Sequence, residues 1–253
     1  MQSDHQPAAL ITGGASGIGR ATAHVLAQQG HAIVIGDIDD NRGQSTVREL
    51  EDAGHTAVYV RLDVTDSEAV ENAVDSAGSL FGPLTVVCNN AGAGIYSSVA
   101  DLAPSDYDRI IKLNQYGVYH GLHFASRHMR DHGIAGTIVN TCSASGILAT
   151  PMLFAYNTAK AAVTMMTSSA AHDLADANIR VVGVAPGVTE TPITQKYKEQ
   201  GQAVEQSYLA KHMRKRWLAP EQIASVIGFL CTDAAQAING TVIEVDDGYA
   251  RFK

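Results

Sequence analysis

Ala8-Ala9-Leu10-Ile11-Thr12-Gly13-Gly14-Ala15-Ser16-Gly17-Ile18-Gly19 is the stretch that decides how this chain folds. The opening apolar run is consistent with a buried strand, the glycines let the backbone turn tightly, and residues 17–29 read as the helix that follows. Glycines also permit close approach of a bulky anion, and free N–H groups with the positive end of a helix favour a pyrophosphate there. The spacing is Gly-x-x-x-Gly-x-Gly, not the Gly-x-Gly-x-x-Gly of the common dinucleotide fingerprint. By itself the stretch is also compatible with a simple tight turn.

The next apolar run, Ala32-Ile33-Val34-Ile35-Gly36, ends at Asp37, eighteen residues beyond Gly19. An acidic side chain at that place can accept hydrogen bonds from an adenosine ribose. Asp37 and Asp39 also precede a helical pattern, and capping it is the alternative role. A carboxylate facing a 2'-phosphate is a like-charge contact, and neither Ser16 nor Ile38 supplies an arginine to relieve it, so Asp37 points to NAD (NADH) rather than NADP.

Strand-like runs alternate with helical patterns down the whole chain, which is the mark of a parallel sheet with helices on both faces. Strands are expected at 8–12, 32–37, 57–61, 85–89, 137–141, 180–185 and 241–245, with the longest helices at 104–132 and 155–178. No repeat, low-complexity segment or linker marks a second domain. Residues 1–253 therefore read as a single Rossmann-type α/β domain, doubly wound around a seven-stranded parallel sheet.

Tyr156 and Lys160 stand four residues apart, and Ser143 lies thirteen positions upstream of the tyrosine. On a helix, i and i+4 share a face, so the Lys160 charge can sit beside the Tyr156 hydroxyl and favour its phenolate. A tyrosine of ordinary pKa, about 10, is a poor base at neutral pH, and a nearby cation is the simplest means of lowering it.

In this company the chain resembles the short-chain dehydrogenase/reductase family, in its branch of about 250 residues, nearly from end to end. Thr12-Gly13-x-x-x-Gly17-x-Gly19, with Ser16 and Ile18 inside it, is similar to the family's cofactor loop. Asp63-Val64 looks like its adenine contact, and Asn89-Asn90-Ala91-Gly92 like the element that steadies sheet and cofactor. Asn114 matches the catalytic asparagine; Ser143, Tyr156 and Lys160 complete the resemblance to the catalytic tetrad. Pro186-Gly187-Val188-Thr189-Glu190-Thr191 looks like the loop that holds the nicotinamide carboxamide.

The resemblance implies an oxidoreductase that moves a hydride between NAD(H) and a secondary alcohol or ketone. Tyr156 would act as general acid/base, taking the hydroxyl proton as the carbinol carbon delivers its hydride. Lys160 would lower the tyrosine pKa and bond the nicotinamide ribose, Ser143 would polarise the substrate oxygen, and Asn114 would position a water that links Lys160 to solvent. Dimers and tetramers are common in the family. The helical pattern at 221–230, apolar on most of its circumference, wants burial on two sides, against the sheet and against either a partner subunit or another part of the chain.

Two positions depart from the family pattern. Thr189 stands where an aliphatic residue is usual, and Asp247 precedes Gly248 where a second glycine is frequent. Candidate substrate-pocket residues are Gly94, Ile95 and Tyr96, then Ser145, Ile147, Leu148 and Met152, and the segment from Pro192 to Trp217, part of a lid at about 190–217. In that lid Lys196, Lys198, Lys211, His212, Arg214, Lys215 and Arg216 form a basic patch, which reads either as a seat for an anionic substrate, such as a hydroxy acid or an acyl thioester, or as a solvated helix face. Tyr197, Tyr208 and Trp217 would pack the lid or line the pocket.

Two further functions compete. A 3-oxoacyl-thioester reductase of the same family is disfavoured, because those enzymes generally use NADP and carry a basic residue near the glycine loop. A non-catalytic NAD-binding sensor would be expected to have lost part of the tetrad.

Composition narrows the field. Eighteen Lys and Arg against 26 Asp and Glu give a formal charge of -8 without a basic run, which argues against DNA or RNA as partner. Cys88, Cys142 and Cys231 lack metal-ligand spacing, so no metal is expected and a reducing compartment fits. Residues 1–7 contain no basic or apolar leader and no apolar stretch is long enough to span a bilayer, so the expectation is a cytosolic protein without a membrane partner.

Overall fold

Successive side chains of a strand face opposite sides of its sheet. In β1 (Ala8–Thr12) both sides are covered: Ala8 and Leu10 join one apolar cluster and Ala9 and Ile11 another, each at most 1% exposed. A strand buried on both faces has no use for polar alternation, which is why the run reads as continuously apolar.

The computed structural model describes residues 6–199 and 201–251. The remaining strands are β2 (Ala32–Asp37), β3 (Ala57–Arg61), β4 (Leu84–Asn89), β5 (Gly136–Thr141), β6 (Ile179–Pro186) and β7 (Val242–Val245). All pair in parallel, in the order β3-β2-β1-β4-β5-β6-β7. The helices are α1 (Gly17–Gln28), α2 (Asp40–Asp52), α3 (Ser67–Leu80), α4 (Pro104–Ile111), α5 (Gly117–Asp131), α6 (Phe154–Leu174), α7 (Pro192–Glu199), α8 (Gln202–Leu209) and α9 (Pro220–Leu230). One face of the sheet is covered by α1, α2 and α9 through Leu26, Leu50, Ile223 and Ile227; the other by α3, α5 and α6 through Val74, Val118, Met129 and Val163.

The helix expected at 104–132 is interrupted. Lys112–Tyr116 forms a π turn between α4 and α5, because the Asn114 side chain enters the helical ladder: its Nδ2 donates to the Ile110 carbonyl at 3.0 Å and to Ala93 O at 2.9 Å. Likewise α6 gives way to the 3-10 turn Ala175–Ala177, which Asn178 closes in the left-handed conformation at φ 57°. On α9, a Cβ at Gly228 would lie 2.4 Å from Val25 Cγ1, so glycine is what lets this helix approach α1. Its second apolar side is thus met within the chain, while Phe229 stays 45% exposed.

Candidate active site

At the carboxyl edge of the sheet the connections after β1 and β4 leave in opposite directions, and a cleft of about 560 Å³ opens there. It runs from Asp37, Asp63 and Val64 past Gly13, Ser16, Gly17 and Ile18 to Asn90, Ala91, Gly92, Ser143, Tyr156, Lys160, Pro186, Gly187 and Thr191. Gly19 stands behind the loop: a Cβ there would lie 2.1 Å from Gly13 O. Gly13 and Gly17 hold φ of 65° and 51°, which side-chain-bearing residues rarely adopt. Asn90 braces the loop, its Nδ2 donating to Thr12 O and Gly13 O at 3.1 Å, while Thr12 Oγ1 accepts from the Asn90 and Ala91 N–H groups.

The start of α1 fits an anion. Ser16 forms no side-chain cap and the first turn holds no acidic residue, so the helix dipole meets no charge from the chain itself. At the other end of the cleft, Asp37 accepts from the Ala15 N–H at 3.0 Å and the Asp39 N–H at 3.1 Å. Capping of α2 falls to Asp39, which accepts from Arg42 N. The nearby Arg61 pairs with Asp40 at 3.0 Å and donates to Ile38 O. Dinucleotide groups are thus matched in order: an anion seat at Gly13 to Gly19, an acceptor at Asp37.

Three polar side chains meet at the inner end, and a fourth, Asn114, lies behind its wall. Ser143 caps the 3-10 turn Ala144–Gly146, accepts from Ser145 N at 3.1 Å and faces the cleft and the small cavity beside Tyr156. Lys160, 3% exposed, shares the α6 face of Tyr156 as the spacing predicts, its Nζ 5.7 Å from the ring centroid. Its ammonium donates to Thr141 O at 2.7 Å. The expected lowering of the Tyr156 pKa by this charge is not found in the protein alone: burial pushes the phenol up, and the neighbouring Ser143 hydroxyl offsets only part of that. The same burial brings Lys160 down to about 8. Asn114 is fully buried outside the cleft wall, and its Oδ1 has no hydrogen-bond partner among the described residues. A Cβ on Gly92 would lie 2.6 Å from that oxygen and 3.6 Å from Lys160 Nζ, so glycine keeps the space between the two open.

A second cavity of about 90 Å³ adjoins Ser143 and Tyr156. Of the sequence-predicted pocket residues, Gly94 and Ser145 line it, as does Val188. Tyr96, Ile147 and Met152 are 47%, 41% and 36% exposed and, with Leu148, are not brought to its wall. Gly146 packs against the α6 backbone at Lys160, and Ile147 and Leu148 directly after it leave the wall before Thr150 and Leu153 return to it. Ile193, Thr194 and Tyr208 of the lid segment line the cavity as expected, and Thr150, Leu153 and Tyr249 join them unforeseen. Tyr249 was hidden by its distance along the chain from Ser143; the one available signal for it was the turn-rich Asp246-Asp247-Gly248 just before.

The lid's basic patch is dispersed. His212 is 1% exposed, Arg214 pairs with Asp247 at 2.6 Å, and Lys211 donates to the Tyr249 hydroxyl, leaving Lys215 and Arg216 exposed. The side chains of Lys196, Tyr197 and Lys198 lie outside the described residues. Trp217 packs the lid, donating to Glu205 at 2.7 Å. Thr189 is buried and turns its hydroxyl to Gly187 O. Among the described residues no His, Cys, Asp and Glu are grouped to hold a metal, and no helix is long and apolar enough to cross a membrane.

A family model described as enoyl-(acyl carrier protein) reductase, adh_short_C2, matches residues 13–250. The chain belongs to the short-chain dehydrogenase/reductase family. Within this family it is 39% identical, over 95% of both chains, to cis-4-hydroxycyclohexanecarboxylate dehydrogenase of Sinomonas cyclohexanicum. It is 37% identical to the 3-oxoacyl-[acyl-carrier-protein] reductase FabG of Thermotoga maritima, over 94% of this chain and 96% of that one. The structure of actinorhodin polyketide ketoreductase with NADPH superposes at a TM-score of 0.92 with 26% identity over the full length of both chains. This short-chain dehydrogenase/reductase is therefore an oxidoreductase by family, with relatives on both the alcohol-oxidising and the ketone-reducing side.

Proposed function

We propose that the chain is an NAD-dependent dehydrogenase of secondary alcohols, which also reduces the corresponding ketones. The observation that carries this reading is the meeting of Ser143, Tyr156 and Lys160 where the long cleft joins the small cavity, with all four tetrad side chains present. Bound NAD would accept the hydride from the carbinol carbon, or return it as NADH. Ser143 and Tyr156 would together hold the substrate oxygen, the Tyr156 oxygen taking its proton during oxidation and giving it back during reduction. Lys160, charged below about pH 8, would stabilise the phenolate that forms. The unpartnered Asn114 Oδ1 and the gap beside Gly92 would seat a water through which the proton reaches solvent.

Support for NAD comes from Asp37 and from the engagement of Arg61 with Asp40. Support for a secondary alcohol comes from the cyclic hydroxy acid named for the Sinomonas relative. The reading carries with it a cytosolic homodimer or homotetramer, for which exposed Phe229 on α9 offers an apolar contact.

The similarity to the Thermotoga enzyme favours a second reading, reduction of a 3-oxoacyl thioester. Both are tested by following nicotinamide absorbance with NAD and NADP against secondary alcohols and 3-hydroxyacyl thioesters, with Tyr156→Phe as control. Oxidation of alcohols with NAD, reduced by several orders of magnitude in the control, is the expected result. Turnover confined to thioesters with NADP would replace the first reading by the second.

A further inference from the structure

Three hydroxyls from separate parts of the chain form a row along the wall of the small cavity. Ser145 Oγ lies 2.9 Å from Thr150 Oγ1, and Thr150 Oγ1 lies 2.8 Å from the Tyr249 hydroxyl. Behind them Lys211 Nζ donates to the Tyr249 hydroxyl at 3.1 Å, with the Tyr208 and Tyr249 ring centroids 4.9 and 5.3 Å away. Ser145, Thr150 and Tyr249 face the cavity; Lys211 is not on its wall. Among the described residues no carboxylate pairs with Lys211.

The chemistry of the groups gives the row a direction. An ammonium donates and never accepts, so the Tyr249 oxygen receives from Lys211. Either atom of each hydroxyl pair could donate, but the ammonium bonded to its oxygen makes the Tyr249 O–H the strongest donor of the three, which favours Tyr249 donating to Thr150, Thr150 to Ser145, and the Ser145 proton facing the cavity. Each bond polarises the next, so the cation at one end makes that last hydroxyl a stronger donor. Ser143, two residues away, accepts from the Ser145 N–H and stands beside Tyr156 where the long cleft meets the cavity. The Ser145 donor is therefore separate from the groups that would hold the reacting oxygen.

We propose that the Ser145–Thr150–Tyr249 row, backed by Lys211, recognises a second oxygen on the substrate, an acceptor carried away from the reacting carbon and best supplied as a carboxylate. This rests on the alcohol dehydrogenase reading and deepens it to hydroxy acids. Leu153, Val188 and Ile193 give the same cavity an apolar side for the carbon frame between the two oxygens. Lys211 serves through hydroxyls it orients, not as a surface charge, which is why the count of basic lid residues does not reveal it.

The test is calorimetric titration of the NAD-loaded protein with cyclohexanecarboxylate, which has the anion but no alcohol to oxidise, and in parallel with cyclohexanol. Wild type is expected to favour the carboxylate, and the ratio of the two affinities is expected to fall about tenfold in Lys211→Met and in Tyr249→Phe. An unchanged ratio in Lys211→Met, or a wild type that does not bind cyclohexanecarboxylate, overturns the proposal. The dehydrogenase reading fails separately: a protein that shows the Lys211-dependent preference yet oxidises no secondary alcohol keeps the row and loses the activity.

Discussion

The ammonium of Lys160 is tied to the carbonyl oxygen of Thr141 at 2.7 Å, and among the described residues no carboxylate pairs with it. A charge held that way costs stability. In the unfolded chain the lysine keeps its proton up to about 10.5, and in the folded protein up to about 8. Between those values unfolding takes up a proton, so this group makes stability rise with pH there. Above pH 10 the raised Tyr156 acts in the opposite sense, since the folded state then keeps a proton that the unfolded state loses. Lys160→Met is expected to stabilise the cofactor-free protein at pH 7 by roughly 1–3 kcal/mol, after the lost Thr141 bond is allowed for. The gain should shrink by pH 9.5, while alcohol oxidation is abolished at both. Urea unfolding at the two pH values checks it, and a variant less stable than wild type at pH 7 would refute the account of the buried charge.

Asp37 bonds the Ala15 and Asp39 N–H groups, so its carboxylate is fixed before any cofactor arrives. Asp37→Ser removes the charge that would repel a 2'-phosphate and keeps an oxygen that can accept from Ala15. The expected outcome is a fall of tenfold or more in the ratio of kcat/KM for NAD over NADP, with loss of about 1 kcal/mol of stability. A ratio that does not move would place cofactor choice elsewhere, with Arg61 the next residue to change.

How far the sequence carried the fold and site depends on how local each feature is. β1, the glycine turn and α1 lie in one stretch, and burial of β1 on both faces is what makes its pattern unambiguous. Tyr156 and Lys160 are set by one helical turn. The π turn at Asn114 was hidden because it depends on a side chain reaching Ala93 O, twenty-one residues back. The small cavity was legible at Gly94, at Ser145 and, through the lid segment, at Ile193, Thr194 and Tyr208. Its other hydroxyls, Thr150 and Tyr249, meet across ninety-nine residues, and no periodicity records such a contact. Ile147 and Met152 were misplaced for the converse reason: proximity in sequence to Ser143 suggested the wall, but the chain leaves it directly after Gly146 and both side chains stay exposed.

Asp247 adopts φ 51° and accepts from both the backbone and the guanidinium of Arg214, tying the chain end to the lid. Asp247→Gly relieves a left-handed conformation worth about 1 kcal/mol and gives up charge-assisted bonds worth about 1–2 kcal/mol on an exposed arginine. These nearly cancel in global stability. Their locations differ, so the lid should loosen: cleavage by a protease at residues 201–217 is expected to speed up several-fold while Tm shifts by no more than about 4 °C. Unchanged cleavage would mean that the Arg214 link does not hold the lid.

His212 joins the lid to the loop after β6 through both ring nitrogens. Nδ1 lies 2.7 Å from Arg216 O, a group that can only accept, so Nδ1 carries the proton and Nε2 is free to accept from the Val188 N–H at 2.9 Å. The imidazole is neutral in this arrangement and 1% exposed. His212→Leu leaves the buried Val188 N–H without a partner, which costs about 1–3 kcal/mol, and frees the loop that borders the cleft at Pro186 and Gly187. Lower Tm and a several-fold rise in KM for NAD are expected together. His212→Gln can present a carbonyl oxygen where Nε2 stood, and should recover most of the KM with less of the stability. Thermal unfolding and NAD titration of the two variants separate bonding from packing: equal loss in Leu and Gln would show that the ring's bulk, not its acceptor, holds the loop.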